Sequence, residues 1–451
     1  MFTFLWSLGS FIVALGILVA VHEWGHFIVA RMCGVHVERF SIGFGKPFWT
    51  RKDKKGTEFA VAAIPLGGYV RMLDERVDDV PAEKRHLAFN NKPVLQRMAI
   101  IAAGPGVNFI FAVLALYMMF LIGQNTVKPV IGDITPDSFA AQAQLKAGDE
   151  IITVGGHETP DWESVNLELI SAIGTPQVGI TVKSAQGVTS QTNLHIAGWN
   201  FDPEKQSALN SLGIVPFRPE ITTVVAFISE DSPAEQAGLQ VDDELIALNG
   251  EKIKNWMSLV DTIKGLPGET VSITLMRGGQ QQTVSATIAR RDTPDGQDGF
   301  LGVSPKAEPW PEGYVFTHQY GPGEAVGKAL DKTWRLTAVS VEMLGKLVTG
   351  DVSLNNLSGP ISIAQGAGVS AGYGLAYFLS FLALISVSLG IINLLPIPML
   401  DGGHLLFYII EWASGKPVPE HVQEWGFKIG GALLFMMMSI AIFNDISRFV
   451  S

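Results

Sequence analysis

Hydrophobic residues in this chain are concentrated in four long blocks separated by stretches of mixed character. The blocks cover residues 1–30, 98–123, 374–410 and 425–443, and each holds a long run that is almost free of charge. A helix that crosses a bilayer needs about 20 such residues, so the pattern predicts four transmembrane helices. The first block has no basic N-terminal region, and its apolar run is too long for a signal peptide, so no cleaved leader is expected.

Residues 31–97, between the first two blocks, show the pattern of a β-hairpin. Phe48-Trp49-Thr50 and the run from residue 57 to 61 flank a charged turn at residues 51–56. A hairpin over residues 48–72 is able to hold an extended peptide on its exposed edge by strand addition. The candidate contact residues there are Gly67, Gly68 and Tyr69. The alternative is an ordinary surface hairpin.

The distribution of Lys and Arg predicts the orientation of the chain in the membrane. Residues 31–97 contain thirteen Lys and Arg against eight Asp and Glu, a net charge of +5 (13 − 8), so the positive-inside rule places them in the cytoplasm. The long insert before the third block then lies outside. The net charge of the chain is -11, which argues against a nucleic-acid-binding protein. Its single cysteine, Cys33, excludes an internal disulfide and is expected to be a small buried residue.

The insert contains an internal repeat. Asp149-Glu150-Ile151-Ile152 recurs as Asp243-Glu244-Leu245-Ile246, an offset of 94 positions (243 − 149). Each copy resembles a PDZ domain, which predicts two α+β domains at 127–220 and 221–309. Two short segments resemble PDZ carboxylate-binding loops: Leu212, Gly213 and Ile214, and Leu301, Gly302 and Val303. The first loop is alternatively part of the second domain, and the pair either binds peptide C-termini or only filters large substrates.

Residues 322–348 show helical amphipathicity. Val326, Leu330 and Trp334 recur near one face, while charged residues fill the rest. The segment is expected to lie at the outer membrane surface and to couple the repeats to the third span. A soluble helix packed on the second repeat is the alternative.

Candidate chemistry lies at the end of the first block. His22-Glu23-Trp24-Gly25-His26 fits the pattern H-E-x-x-H, in which two histidines on one helical face reach one Zn²⁺. Glu23 lies beside them as a general base toward water. An ionisable cluster at this depth is costly unless it has a function, which argues against two histidines that merely end a helix.

The third protein ligand expected of a catalytic zinc site is Asp401, in the run Asn393 to His404. The first and third spans cross the membrane in the same direction, so both motifs emerge at the same level. Pro396 and Pro398 break the helix before Asp401. An exposed turn at Asp-Gly-Gly is the alternative, and His404 is a weaker competitor for the metal.

These motifs together resemble the site-2 protease family of intramembrane zinc metalloproteases, over essentially the whole chain. The resemblance implies one Zn²⁺ per chain held by His22, His26 and Asp401, with Glu23 as the catalytic base. It implies substrate contact at Asn393. The segment Gly104-Pro105-Gly106-Val107-Asn108 matches a family motif whose asparagine, Asn108, contacts substrate or ties helices together. It also implies that the hairpin is associated with the membrane.

The resemblance also implies the biology. A bacterial inner-membrane protease would have its active site toward the cytoplasm and its PDZ domains in the periplasm. It would make the second cut in single-span proteins, such as an anti-sigma factor, and cleave remnant signal peptides. A non-catalytic adaptor that binds partner C-termini is the rival from another class, but it needs no ionisable cluster at the membrane edge. A zinc transporter would need more polar residues along its spans.

Overall fold

The structure, a computed structural model, describes residues 2–77, 79–199, 206–293, 296–354 and 357–450. Its helices, in chain order, are α1 (Phe2–Met32), α2 (Val94–Ile122), α3 (Phe139–Gln142), α4 (Trp162–Ser171), α5 (Ala208–Ser211), α6 (Pro233–Gln236), α7 (Trp256–Lys264), α8 (Pro322–Thr349), α9 (Pro360–Tyr373), α10 (Leu375–Leu394), α11 (Asp401–Ser414) and α12 (Glu420–Val450). Two 3-10 helices, Ala82–Leu87 and Phe89–Asn91, precede α2.

The strands, in chain order, are β1 (Val37–Lys52), β2 (Glu58–Met72), β3 (Gln124–Val127), β4 (Ile131–Ile134), β5 (Glu150–Val154), β6 (His157–Glu158), β7 (Gln177–Lys183), β8 (Thr189–His195), β9 (Ile214–Pro216), β10 (Ile221–Ile228), β11 (Glu244–Leu248), β12 (Glu251–Lys252), β13 (Thr270–Arg277), β14 (Gln280–Thr287), β15 (Ala289–Thr293), β16 (Gly296–Phe300), β17 (Val303–Ala307) and β18 (Val315–His318). By contacts, Pro216–Val315 forms one compact unit and the rest of the described chain forms another.

Four helices of the described chain are long and apolar enough to cross a membrane: Phe4–Met32, Val94–Ile122, Leu375–Leu394 and Glu420–Arg448. The third predicted block, 374–410, is not one continuous helix. Helix α10 ends at Leu394, and α11 begins at Asp401. Prolines at 396 and 398 account for the break, because proline lacks a backbone N–H and its ring clashes with the preceding turn.

Strands β1 and β2 fold into a small sheet of four segments. Residues 49–52 pair with 58–61, as expected for a hairpin, and 39–42 pair both with 58–61 and with 68–71. The sheet order is therefore 49–52, 58–61, 39–42, 68–71, with residues 49–52 and 68–71 at its two edges. Phe27 of α1 packs against Phe40 and Phe59, with ring centroids 5.5 Å apart in both pairs, which ties the sheet to the end of α1.

We call the element set from β4 to β9 the first repeat and the set from β10 to β17 the second repeat. Strands β5, β6, β7 and β8 of the first repeat form one sheet in the order β6-β5-β7-β8, and β4 pairs with β9. The second repeat has the order β14-β13-β11-β10-β17, with β12 beside β11. Helices α4 and α7 occupy matching places, each capped at its N-terminus by a side chain, Asp161 and Asn255.

Helix α8 covers the predicted amphipathic segment, residues 322–348, and packs on spans rather than standing apart from them. Its small residues Ala325 and Ala329 are fully buried in a cluster with residues of α2 and α10. Next to these alanines, Lys332 and Arg335 bind Glu163 and Glu168 of α4. The helix therefore joins the first repeat to the second and third spans.

Helix α9, which the sequence did not indicate, is held by an acid in the last span. Asp445 accepts backbone hydrogen bonds from Gly359, Ile361 and Ser362 at 3.0, 2.7 and 3.2 Å. These N–H groups belong to the first turn of α9, which has no partners of its own. Asp445 is 2% exposed, and the cap accounts for a carboxylate in an apolar helix.

Candidate metal centre

His22 and His26 lie one turn apart on α1 and face α2, where both side chains are buried. Their Nε2 atoms are 3.3 Å apart. The other ring nitrogen of His26, Nδ1, is 2.9 Å from the carbonyl oxygen of Ile100 in α2. A hydrogen bond of this kind orients the ring and leaves Nε2 free to act as a ligand.

Asp401 is brought to the same point by the break in the third block. Its Oδ2 lies 3.1 Å from Nε2 of His22 and 3.4 Å from Nε2 of His26. Met399, in the turn before it, has φ of 98°, a conformation that costs energy for a residue with a side chain. Such strain is typical of functional sites, and here it aims the first residue of α11 back at α1.

Glycines make this turn possible. A Cβ atom on Gly402 would lie 2.2 Å from the carbonyl oxygen of Leu395, and one on Gly403 would lie 2.5 Å from that of Ile397. Gly430 of α12 would in the same way meet Pro398 at 2.0 Å. The Asp-Gly-Gly sequence is therefore required by close backbone packing, and the alternative of an exposed turn is wrong because Gly402 and Gly403 are buried.

The three candidate ligand atoms fit a zinc ion. Two nitrogen or oxygen ligands about 2.0–2.1 Å from a tetrahedral Zn²⁺ are roughly 3.3 Å apart. The three measured separations, 3.1, 3.3 and 3.4 Å, match that value. Oδ2 of Asp401 is also buried without a hydrogen bond of standard geometry among the described residues. A buried carboxylate oxygen close to two imidazole nitrogens and bonded to neither is what a shared metal ion satisfies.

Close approach of α1 and α2 is a requirement of the site that the sequence analysis missed. A Cβ atom on Gly104 would lie 2.3 Å from Nε2 of His26 and 2.9 Å from Cε1 of His22. A Cβ atom on Gly25 would lie 2.4 Å from the carbonyl oxygen of Ala103. Any side chain at Gly104 would occupy the space of the ligands. The motif at residues 104–108 contains this glycine, but the local pattern does not show that the histidines lie against it.

Asn108 lies one turn further along α2 and is fully buried. Its amide nitrogen Nδ2 is 3.1 Å from Nδ1 of His22, and its backbone carbonyl accepts a hydrogen bond from Ser386 of α10 at 2.8 Å. When Nε2 of His22 is a ligand, Nδ1 carries the proton. A half-turn of the amide then offers Oδ1, which has no other hydrogen bond among the described residues. The geometry thus favours a residue that orients His22.

Glu23 faces the β1–β2 sheet, next to the face of α1 that carries His22 and His26. It accepts a hydrogen bond from the backbone of Val70, and a Cβ atom on Gly68 would lie 3.1 Å from its Cγ. The edge segment 68–71 therefore runs past the carboxylate. An extended peptide on that edge would pass Glu23 and the ligands.

The remaining predicted residues are distributed around the centre. Asn393 is half-buried in the last turn of α10, directly before the break. Gly67 has φ of 140° beside the ring of Phe44, and Tyr69 stacks on that ring with centroids 6.2 Å apart. His404 is not among the grouped ligand atoms; its ring lies 5.3 Å from that of Phe427 in α12.

The two predicted carboxylate-binding loops have matching backbone contacts. Leu212 and Gly213 are buried, and their carbonyls accept hydrogen bonds from Ala140 and Thr135. Leu301 and Gly302 are also buried, and their carbonyls accept hydrogen bonds from Ala234 and Ser229. In the second repeat, the residues from 301 to 303 line a pocket with α7. Gly213 and Gly302 share one steric role, because a Cβ atom on them would lie 2.2 Å from Ser138 and 2.3 Å from Ser232. These two serines cap the short helices α3 and α6.

Comparison with known proteins points to one family. The model of peptidase family M50 matches residues 10–437. The chain is 53% identical over 453 residues to Protease RseP of Yersinia pestis, covering 99% of this chain and 100% of that protein. It is 51% identical over 451 residues to Regulator of sigma-E protease RseP of Escherichia coli strain K12, with 99% and 100% covered.

A solved PDZ domain of an SdrC-like protein from Listeria monocytogenes is 20% identical and has a TM-score of 0.17. That match covers 20% of this chain and 93% of the domain.

Proposed function

Because the chain belongs to peptidase family M50, the site-2 proteases, we propose that it is a zinc endopeptidase that cleaves single-span membrane proteins inside or at the edge of the bilayer. The observation that carries the proposal is the triangle of His22, His26 and Asp401 ligand atoms beside Glu23 at the end of an apolar helix. We assign these three residues one Zn²⁺ per chain. Zinc supplies a Lewis acid that polarises the scissile carbonyl and makes a nearby water more acidic.

The chain's own residues do the rest. Glu23 takes a proton from the attacking water and passes it to the leaving amine. Gly104 leaves room for the two imidazoles, and Asn108 and the Ile100 carbonyl hold their orientation. The break before Asp401 supplies the ligand and leaves backbone groups near the centre without helical partners. We assign substrate contact to Asn393 at the end of α10.

Substrate binding is assigned to the free edge of the β1–β2 sheet. A helical substrate hides its peptide bonds in backbone hydrogen bonds, so it must be extended before attack. Residues 68–71 pair with 39–42 on one side, and their other side faces Glu23. Strand addition there would hold the peptide extended, with Gly67 and Gly68 allowing close backbone approach and Tyr69 supplying a contact surface.

We assign the two repeats as PDZ domains, at 127–220 and 221–309, in the periplasm of a bacterium, and the catalytic centre to the cytoplasmic side of the inner membrane. We assign single-span substrates, such as an anti-sigma factor and remnant signal peptides, from the resemblance to the site-2 protease family. The name of the E. coli relative, regulator of sigma-E protease, supports a role in sigma-factor regulation. In the second repeat, Leu301, Gly302 and Val303 line a pocket together with Lys264 and Arg291, two cations suited to a peptide carboxylate.

The experiment uses purified protein in lipid nanodiscs with a single-span substrate. Glu23→Gln should reduce the rate of cleavage by about 10³-fold or more, because the base is lost. The zinc content should stay at the wild-type value, because the ligands remain. Asp401→Ala should lose both zinc and cleavage. Glu424→Gln, an exposed glutamate on α12, is the matched control and should leave both unchanged.

Normal cleavage by Glu23→Gln would remove Glu23 as the base. Full zinc content in Asp401→Ala would remove Asp401 as a ligand. A protein with no cleavage and no zinc in any form would favour an adaptor that binds partners through its repeats.

A further inference from the structure

The turn between β1 and β2 carries basic side chains that the proposed chemistry does not use. Arg51, Lys52, Lys54 and Lys55 are all exposed. The acids nearest to them in the sequence are already engaged, since Asp53 binds Arg31 and Glu58 binds Arg39. Within the described part of the chain, none of the four basic residues has an acidic partner within 4.0 Å.

Aromatic residues lie next to this basic turn on the same strand. Phe48 is 73% exposed and Trp49 is 48% exposed, although both are large enough to be expected in a core. Side chains alternate along a strand, so Trp49 and Arg51 share one face while Phe48 and Lys52 share the other. Each face therefore has an aromatic residue followed by a cation toward the turn, an arrangement typical of segments at a membrane surface.

The level of the turn relative to the bilayer follows from its anchor. Arg31, in the last turn of the first span, binds Asp53 and donates a hydrogen bond to Thr57 at 2.8 Å. Thr57 in turn donates to the carbonyl oxygen of Val37 at 2.5 Å. These contacts hold the turn at the end of α1, where the hydrocarbon core gives way to headgroups.

We propose that this turn, residues 48–55, binds the headgroups of anionic phospholipids in the leaflet at the end of α1. Four unpaired cations at headgroup level need a diffuse anionic surface, and Phe48 and Trp49 supply the apolar contact that fixes the depth. The proposal rests on the proposed function, because the bound turn sets the position of the sheet whose opposite edge passes Glu23. Anionic lipid would thus hold the substrate-binding edge at the height of the metal centre.

The test measures the depth of the turn in the full-length protein. A Cys33→Ala, Thr50→Cys variant carries an environment-sensitive NBD fluorophore on its one remaining thiol, since Thr50 is exposed between the aromatic and basic residues. The protein is placed in phosphatidylcholine nanodiscs with increasing amounts of phosphatidylglycerol. We expect a blue shift of NBD emission that grows with phosphatidylglycerol and is reversed by high salt.

Changing Arg51, Lys52, Lys54 and Lys55 to Gln should abolish the shift over the whole phosphatidylglycerol titration, because each cation near an anionic surface contributes about fivefold and the four together contribute roughly several hundredfold. The matched control removes four exposed lysines from the repeats, Lys146, Lys183, Lys252 and Lys254, and should behave as the parent protein. Equal responses of the two quadruple variants would overturn the proposal. So would an equal shift produced by a soluble polyanion such as heparin in phosphatidylcholine alone.

The same titration in a Glu23→Gln background separates this proposal from the proposed function. The emission shift requires no catalysis, so it should be unchanged there. A lipid-dependent shift in a wild-type protein that does not cleave substrate would support the lipid site and contradict the protease assignment. Normal cleavage by a wild-type protein that shows no shift at any phosphatidylglycerol content would support the protease assignment and contradict the lipid site.

Discussion

The first and second repeats share a plan but differ in what their helices contact. The core of the second repeat is built from its own residues between Val225 and Val303 within the described chain. The core of the first repeat also includes Val352, and Met343 and Leu347 pack against it, all from the chain after the repeats. Two copies of one sequence pattern thus became one separate unit and one part of the membrane-spanning unit.

The polar contacts of the matching helices show the same difference. Glu168 of α4 is 5% exposed and is bound by Arg335 of α8 through two hydrogen bonds, and the α4 cap Asp161 is bound by His318 at 3.1 Å. Its counterpart in α7, Asn255, forms a capping box with Ser258 inside its own helix. The first repeat is attached to α8 and β18 through two acidic side chains, Glu168 and Asp161. The pattern of residues that specifies the fold of the repeat is the same in both copies.

The largest expected effect on the stability of α4 comes from removing the ion pair between Arg335 and Glu168. Arg335→Ala leaves the buried carboxylate of Glu168 without its partner, which costs about 3–5 kcal/mol. Amide hydrogen exchange in α4 should therefore speed up strongly, while exchange in α7 of the same molecule stays constant. Glu163→Gln, which removes a pair whose glutamate is 54% exposed, is the control and should cost no more than about 1 kcal/mol. Equal protection of α4 in Arg335→Ala and wild type would contradict this account of the difference.

Lowering the pH is expected to have a smaller effect on the stability of α4. Burial by itself would raise the pKa of Asp161, but hydrogen bonds from His318 and Ser164 outweigh it and lower the pKa from 3.8 to about 2. A depressed pKa contributes stability above the unfolded value, here about 2.5 kcal/mol, that is lost as pH falls from about 4 through 2. Exchange at the start of α4, corrected for its intrinsic pH dependence, should rise in this window.

The start of α7 has no titrating cap, so it is the internal reference for the acid experiment. A parallel rise at both helix starts would show that acid loosens the repeats generally, and the contrast between Asp161 and Asn255 would then be wrong.

The smallest expected effect is on the second repeat. Asn255→Ala removes the side chain that accepts a hydrogen bond from Ser258 N–H at 2.8 Å, and loss of such a cap costs about 1 kcal/mol. Because the second repeat is a separate unit, protection in α4 and zinc content should not change. Amide exchange measures the first and metal analysis the second. A loss of protection in α4 would indicate coupling between the repeats that the capping contacts do not explain.

Local pattern was sufficient for much of this molecule. Runs of apolar residues predicted four spans, which the structure has as helices, and the offset of 94 positions predicted two copies whose strands and helices correspond. H-E-x-x-H placed His22 and His26 on one helical face, because residues four apart on a helix always share a face. Prolines 396 and 398 predicted the break before Asp401. Each of these inferences depends on chain-local geometry.

Other features depend on which segments meet, and no local pattern contains that information. Asp445 and the first turn of α9, which it caps, are separated by more than 80 residues. The sequence pattern therefore does not indicate a role for this acid in α12. The amphipathicity of α8 predicts a helix at the membrane surface, but it does not indicate that the alanines of α8 pack against α2 and α10. The face of α8 that carries Ala325 and Ala329 consists of small residues, which are neither polar nor strongly apolar. The sequence pattern therefore does not indicate that this face packs against other helices.

The sequence alone determined the donor set of this protein, two imidazoles and a carboxylate with an adjacent glutamate, and the apolar helices that carry it. Only the tertiary structure decided that the three ligand atoms lie 3.1–3.4 Å apart, because that distance depends on how closely α1, α2 and the turn before α11 approach. The approach is permitted by missing side chains at Gly25, Gly104 and Gly402. The sequence shows where each glycine is, but only the tertiary structure shows which neighbouring backbone or side chain requires that position to lack a side chain.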